Sequence, residues 1–520
     1  MRKFNTEGAC DKVKHYMVDI SKKLKQIRVM VDEGDYFTIN RGRQYGKTTT
    51  LYQLRELLKH EYICLKISFE GSGEVMFSSE EAFCVGFLDL LSIASDEDCL
   101  ESNMNWRDNA VTNFRELNSH ISKMCKSRKV VLMIDEVDKS SNNQIFLHFL
   151  GVLRSKYLSR SAGDDNTFHS VILAGVNDIK NIKHKMITAG THTQSSGEGI
   201  YNSPWNIAAK FKVDMSFNSI EIESMLTDYE SEHSTGMNTV RIAAELYDYT
   251  SGYPFLVSCL CKIIDEDLDK KWSVDGVQEA VKFILDDDTN ILFESLISNI
   301  KNSPELAELV RSLIISGDER PFDALDSAIS LGVMYGFLEK RNNLVAISNK
   351  IFEIRITRYS IVHEIGVQNR SNPVISSDVI NNGKFDMETC LRKFSEHYYE
   401  LYSDRDTAFL EREGRMLFLT FMKPLINGIG FYHIETETRN ARRMDIILDY
   451  NKEQFIIELK LWHGKKYKEK AYAQLLDYMD SKNNDTGYLI TFDFRKDVNK
   501  ERQAEWVDCG DGKRIFDVVV

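Results

Sequence analysis

Short, uninterrupted apolar runs separated by stretches of helical periodicity dominate the first 216 residues. Residues 36–40, 63–69, 130–134 and 170–174 are apolar without alternation, the pattern of strands covered on both faces. Residues 49–59, 80–95 and 106–124 repeat apolar positions at helical spacing. Strands alternating with helices predict an α/β fold around a largely parallel sheet. Beyond about residue 217 the pattern turns helical, over 221–232, 240–249 and 254–269. Helical stretches at 304–315 and 322–331, with short strands around 337–347, have the order of a winged helix. A polar stretch over 368–384, holding Ser, Asn, Pro and Gly, reads as a linker. A final α/β unit begins near Asp386. The divisions expected are therefore 1–216, 217–367, a linker over 368–385, and 386–520. No internal repeat or low-complexity tract is present.

Composition adds limits. The chain has 520 residues, 42% hydrophobic and 28% charged, which is ordinary for a globular protein of several domains. No run approaches the roughly 20 apolar residues of a membrane span, and the N-terminus lacks the apolar core of a signal peptide. The cysteines are scattered without a CxxC pair, so reduced thiols and a cytoplasmic location are expected. Residues 411–520 carry 19 basic and 19 acidic side chains, and the net charge of −13 falls on the first 410. The N-terminal part is thus a poor candidate for a broad, non-specific nucleic-acid surface; a local basic patch stays open for the C-terminal part.

The first chemistry-bearing segment is Arg41-Gly42-Arg43-Gln44-Tyr45-Gly46-Lys47-Thr48. Against the phosphate-loop pattern G-x-x-x-x-G-K-[ST], Gly46, Lys47 and Thr48 match. Arg41 stands where the first glycine is usual, and Gly42 comes one place late. A strand precedes the loop and a helix follows. Backbone N–H groups at such a helix start cradle phosphate oxygens. Lys47 would neutralise the β- and γ-phosphates of ATP, the Thr48 hydroxyl would ligate Mg²⁺, and Thr49 continues the contact stretch. Downstream, Val130-Val131-Leu132-Met133-Ile134-Asp135-Glu136 is an apolar strand ending in two carboxylates, the Walker B form. Asp135 would hold Mg²⁺ and Glu136 would polarise the attacking water. The strand at 170–174 runs into Asn177, which reads as a γ-phosphate sensor or a plain turn residue.

With these motifs, and with Ser203-Pro204-Trp205-Asn206-Ile207-Ala208 and Ser251-Gly252-Tyr253-Pro254, the chain resembles the AAA-ATPase-like proteins fused to PD-(D/E)XK nucleases, a bacterial group related to STAND and archaeal ATPases. The resemblance spans nearly the whole chain. It implies a P-loop NTPase sheet, a helical and winged-helix region, and a small nuclease-like α/β domain. It further implies that Pro254 packs near the adenine, although a proline simply opening the next helix fits the same residues. In STAND relatives the winged helix more often reports nucleotide state than reads DNA. No arginine finger is identified.

In the C-terminal unit, Phe455-Ile456-Ile457-Glu458-Leu459-Lys460-Leu461 reads as a strand. Alternation puts Glu458 and Lys460 on one face. Asp445 begins the preceding strand, and the hairpin would bring it near Glu458. Glu413 lies on the helix before. Gln474 and Tyr478, four apart, share a face of the helix after. Helix, three-stranded meander, helix and a strand at 487–492 make the core order of a PD-(D/E)XK nuclease, with Met444 where a proline is usual. Asp445, Glu458 and the Leu459 carbonyl would hold Mg²⁺ or Mn²⁺, with Glu413 in support. Lys460 would orient the water and Gln474 the substrate backbone. Arg439, Arg442, Arg443, Lys465, Lys466, Lys468 and Lys470 are phosphate contacts or a solvated basic face. His433 and His463 lack metal-ligand spacing. The function expected is an ATP-regulated, metal-dependent nuclease acting on nucleic acid, DNA before RNA, in defence or DNA processing, with homo-oligomers as the assembly. The alternative is a signalling or scaffold ATPase whose nuclease-like domain binds nucleic acid or protein without cutting. A DNA motor is a third reading, disfavoured by the acidic N-terminal part.

Overall fold

The computed structural model describes residues 2–71, 73–96, 104–108, 110–137, 143–176, 205–287, 289–316, 319–368, 379–381, 384–402, 411–426, 430–433, 446–450, 453–462, 464–493 and 504–520. Contacts divide the chain into two compact units. One is Met1–Ile284 with Leu331–Phe337, and the other is Leu285–Ser330 with Leu338–Val520. The division is coarser than the four segments read from the sequence. It keeps the helices after residue 217, as far as Ile284, with the N-terminal sheet.

The first unit is built on four strands: β1 (Tyr36–Asn40), β2 (Ile63–Ser68), β3 (Val130–Asp135) and β4 (Ser170–Gly175). Their order is β1-β4-β3-β2, and every pairing is parallel. On the other side of β1, Ala209 adds a parallel bridge to Phe37, its N–H donating to the Tyr36 carbonyl at 2.8 Å. All residues of β3 and β4 are buried, as apolar strands covered on both faces should be. The helices are α1 (Ser21–Asp32), α2 (Lys47–Leu58), α3 (Glu80–Asp96), α4 (Phe114–Met124) and α5 (Gln144–Ala162). A core rich in aromatic residues, including Phe83, Phe87, Trp106, Phe149 and Trp205, fills the space against the sheet. The helix expected over 106–124 starts only at Phe114. The Asn113 side chain caps it by accepting the Glu116 N–H, while Trp106 is fully buried in non-helical chain. Four more helices follow: α6 (Ser219–His233), α7 (Thr239–Thr250), α8 (Pro254–Glu266) and α9 (Val274–Asp286).

Next come α10 (Ile291–Lys301), α11 (Pro304–Arg311), a π-helical turn Ser312–Ser316, and α12 (Ser327–Tyr335). The stretch expected as one helix over 304–315 is thus α11 and the π turn. The helix expected from residue 322 begins five residues later, because the Asp326 carboxylate accepts the N–H groups of Ala328 and Ile329 and caps α12 there. Strands β5 (Leu338–Arg341) and β6 (Leu344–Ile347) pair antiparallel. Their turn residues, Asn342 and Asn343, both have positive φ, as a tight hairpin turn requires. Helix α13 covers Lys350–Gln368. Within the expected linker, β7 (Ile380–Asn381) and β8 (Lys384–Phe385) pair as a short hairpin.

The C-terminal part of the second unit contains α14 (Met387–Tyr402), α15 (Glu411–Ile426), β9 (Gly430–His433), β10 (Ile446–Tyr450), β11 (Glu453–Leu461), α16 (Lys465–Lys482), β12 (Thr486–Phe492), β13 (Ala504–Gly510) and β14 (Lys513–Val519). The sheet order is β13-β14-β12-β11-β10-β9. Strands β9, β10 and β11 form an antiparallel meander. Strands β11, β12 and β14 run parallel. Helix α16 lays Ala471, Leu475, Tyr478 and Met479 on Ile447, Ile456, Leu489 and Ile515. The approach is close enough that a Cβ at Gly487 would sit 2.7 Å from the Met479 sulfur. The eight described cysteines form no disulfide. Among the described residues no helix is long and apolar enough to cross a membrane.

Candidate functional site

Parallel pairing puts the carboxyl ends of all four strands of the first sheet on one edge, where open α/β sheets bind ligands. At the end of β1 the chain turns through Arg41–Gly46 into α2. Gln44 and Gly46 take left-handed backbone, with φ of 57° and 72°. Lys47 is buried, and its Nζ donates to the carbonyls of Gly42 at 2.8 Å and Arg41 at 3.0 Å. Gly42 needs to be glycine: a Cβ there would meet the Tyr335 carbonyl at 2.7 Å. The guanidinium of Arg41 donates to the Asn40 and Val213 carbonyls, which ties it to backbone. Arg43 and Gln44 are exposed, and Thr48 and Thr49 half-buried. Thr49 Oγ1 accepts the Cys10 N–H at 3.0 Å.

Tyrosines hold the loop from outside. The Tyr45 ring meets that of Tyr253 edge-on, centroids 4.5 Å apart, and its hydroxyl lies 3.0 Å from Ser216 Oγ. Tyr253, the residue before Pro254, donates its hydroxyl proton to the Arg43 carbonyl at 2.5 Å. Pro254 itself opens α8 and is buried. Gly252 is held at φ 72° with its Cα against the Phe217 carbonyl. Tyr253 was not singled out in the sequence, although it lies inside the quoted Ser251–Pro254 motif.

Asp135 ends β3 and is 2% exposed. Its Oδ1 accepts the Glu136 N–H at 3.0 Å, and Glu136 adopts φ 53°. Lys66, on β2, brings its Nζ to 4.0 Å from Asp135 Oδ2 and over the Tyr52 ring at 4.0 Å. Sequence reasoning missed Lys66, since a single lysine in an apolar run carries no motif. Strand β4 lies between β1 and β3, so its carboxyl end separates the loop from the two acids. Asn177, two residues past β4, lies outside the described residues, as do Ser203 and Pro204.

In the second unit, Glu458 sits on a middle strand and is wholly buried. Lys460 Nζ lies 2.8 Å from its Oε1. In register, Glu458 pairs with Leu489 and Leu489 with Asp517, and paired residues share a face. That face also bears Ile456 and Ile515, against which α16 packs. Gln474 is half-buried on α16. Asp517 is buried and holds both Lys468, at 2.5 Å, and the Tyr472 hydroxyl, at 2.6 Å. Burial and the Asp517 carboxylate push the Tyr472 hydroxyl well above its ordinary range. Lys466 and Lys470 are exposed. Asp445, Arg439, Arg442, Arg443 and His463 lie outside the described residues, as do the side chains of Glu413, His433 and Lys465. The last described pair of the hairpin is Ile446 with Ile457, one residue before Glu458. Among the described residues no three His, Cys, Asp or Glu gather as a metal site.

Residues 393–496 match a family model described as a domain of unknown function, DUF8371. The segment includes Glu458, Lys460 and Gln474. No curated protein matches the chain. Among solved structures, the Walker-type ATPase of Pyrococcus abyssi is 13% identical with a TM-score of 0.45, over 67% of this chain and 98% of that one. The ORC2 protein of Aeropyrum pernix matches in its ADPNP–ADP complexes (11% identity, TM-score 0.38, 70% of this chain and 97% of that one). Its ADP form also matches (12% identity, TM-score 0.35, 70% and 96%). Overlap at this level leaves the fold to be described by its own strand order.

Proposed function

We propose that this chain binds ATP with Mg²⁺ on the loop from Arg41 to Thr48, and that its C-terminal sheet is a metal-dependent nuclease which the nucleotide regulates. The observation that carries the nucleotide reading is the pairing of a buried lysine and a buried aspartate on one sheet edge. Lys47 caps the loop at the end of β1, and Asp135 ends β3 with β4 between them. Lys47, now on the Arg41 and Gly42 carbonyls, would turn to the β- and γ-phosphates. The N–H groups at the start of α2 would cradle them. The Thr48 hydroxyl and the Asp135 carboxylate are hard oxygen donors suited to Mg²⁺, which when bound neutralises charge on the phosphates. Glu136 would polarise water, and Asn177 and Pro254 complete the proposed nucleotide contacts.

The nuclease reading is supported by Glu458, a carboxylate buried on a middle strand beside Lys460. An acid–base pair that merely decorates a sheet edge would be solvated. The order of α15, the β9–β10–β11 meander, α16 and β12 is that expected of a PD-(D/E)XK core. Glu458 and the Leu459 carbonyl, with Asp445, would hold Mg²⁺ or Mn²⁺, which supplies charge stabilisation on the scissile phosphate. Lys460 would orient the attacking water, Glu413 would support the carboxylate set, and Gln474 would face the substrate backbone. The β5–β6 hairpin and its preceding helices are read as a winged helix. Partners in this reading are nucleic acid, DNA before RNA, and further copies of the chain.

The test has two arms. ATP binding is measured by calorimetry on the wild type and on Lys47→Ala, which should lose it. Supercoiled plasmid is incubated with Mg²⁺ or Mn²⁺, with and without ATP, beside Lys460→Ala. Cutting absent from that variant supports the nuclease, and its ATP dependence measures the regulation. ATP binding with plasmid intact under every condition would favour the signalling or scaffold ATPase.

A further inference from the structure

The strands of the first sheet read YFTIN, ICLKIS, VVLMID and SVILAG. Lys66 and Asp135 are the sole charged residues in them. The fold sets these two on neighbouring strands, with Lys66 opposite Met133 and Asp135 opposite Ser68. Paired and alternate residues share a face, so Lys66, Ser68, Met133 and Asp135 all lie on one side. Helix α2 supplies Tyr52 on that side, and the Lys66 ammonium rests over its ring. The side chains of Lys66 and Asp135 are 9% and 3% exposed, with 4.0 Å between Nζ and Oδ2. A lone lysine withdrawn so far from water is costly unless a counter-charge offsets it, and Asp135 is that counter-charge.

We propose that Lys66 is a built-in counter-ion for Asp135, which lets ATP bind without a divalent cation and makes the cation a weak, late addition. This rests on the reading of Arg41–Thr48 as the ATP site. The argument is electrostatic. ATP brings its phosphates to the sheet edge where Asp135 sits, and like charges there repel. At most such sites the metal cancels the repulsion; here Lys66 cancels part of it beforehand. The same ammonium repels a divalent cation arriving at Asp135. Lys47 serves the phosphates and is a separate charge, held on the loop carbonyls. In this proposal Lys66 is a charge-setting residue that acts through Asp135.

The experiment measures ATP affinity by calorimetry in excess EDTA and in saturating Mg²⁺, for the wild type, Lys66→Met and Lys66→Arg. The wild type should bind ATP in both conditions. Lys66→Met should widen the ratio of the EDTA and Mg²⁺ dissociation constants severalfold, because the charge of Asp135 is then uncancelled where the phosphates arrive. Its ATP complex should also take up Mg²⁺ at lower concentration. Lys66→Arg, which keeps the charge, should behave as the wild type. If Lys66→Met does not fold, as judged by circular dichroism, Lys66→Gln replaces it, and the wild type in EDTA is a test by itself. A wild type that binds ATP in Mg²⁺ but loses it in EDTA overturns the proposal. So does an unchanged ratio in the uncharged variants. A wild type that binds no ATP in either condition overturns the ATP-site reading itself, and the proposal with it.

Discussion

Withdrawing the Glu458 carboxylate from water costs energy that the Lys460 ammonium, 2.8 Å away, offsets. The pair is asymmetric, since Glu458 is fully buried while the Lys460 side chain is 19% exposed. Removing the lysine takes a positive charge from beside a fully buried carboxylate, whereas removing the carboxylate leaves a lysine that already reaches solvent. Lys460→Ala should therefore cost about 3 kcal/mol of stability, the usual cost of breaking a buried pair from one side. Glu458→Gln should cost less, and Glu458→Gln combined with Lys460→Ala should recover most of the loss. Urea midpoints of the three variants check this. A midpoint for Lys460→Ala equal to that of the wild type would mean that the pair contributes nothing to folding, and would leave chemistry as the reason for its burial. All three variants should lack plasmid cutting if the C-terminal sheet is a nuclease.

Elements place these residues, and the turn before α8 shows how narrowly. Gly252 has φ 72°, and a Cβ on it would fall 1.7 Å from the Phe217 carbonyl. The next residue, Tyr253, reaches the phosphate loop. Gly252→Ala should thus destabilise the first unit by at least about 2 kcal/mol and weaken ATP binding together with it. A thermal melt and an ATP titration on the same sample would expose a mistake, which would show as wild-type values in both. The strand, loop and helix of β1–α2 were legible from residue order because apolar runs and Gly46 bound them. So was the β3 end at Asp135, for the same local reason. Other features depend on partners distant in sequence. Trp106 and Val111 fit a helical period, yet both are buried in non-helical chain, and only the Asn113 cap sets where α4 begins. The order β1-β4-β3-β2 sets Lys66 beside Asp135, and no spacing within ICLKIS announces it. Glu458 and Lys460 could be read as neighbours on a strand; whether that strand is at the edge or in the middle depends on β12, about thirty residues later. The β13–β14 pair went unread, since Glu505 and Asp508 break up the apolar positions of the β13 sequence AEWVDCG.

At the scale of the molecule, two histidines of the first unit, His120 buried and His169 half-buried, make its stability depend on mild acid. His120 is 8% exposed, with Nε2 3.0 Å from the Trp106 carbonyl. Burial pushes its pKa below the ordinary 6.5, only partly opposed by the Asp108 carboxylate. The His169 ring lies 5.2 Å from that of Tyr62, tilted by 32°. Burial lowers its pKa as well, and Arg160 and Lys129 add to that. Both groups charge more readily in the unfolded chain than in the folded one. Between their folded pKa values and about 6.5 the unfolded state binds more protons, so stability rises with pH across that window. Their contribution is complete above about pH 6.5 and is lost as the pH falls below it. Carboxylates held below their ordinary range, among them Asp165 beside Lys156 and Glu388 beside Trp506, lose their contribution only near and below about pH 4.5, so the two effects separate. The melting temperature should fall from about pH 7.5 to about pH 5.5, and a His120→Gln, His169→Gln double variant should show a flatter profile over that range. An equally steep profile in the double variant would assign the acid sensitivity to other groups. Protonation of the chain, from a charge of −13 toward its pI of about 5.5, also removes the repulsion that keeps copies apart. The melts therefore belong at low protein concentration, where a fall in stability is read apart from association.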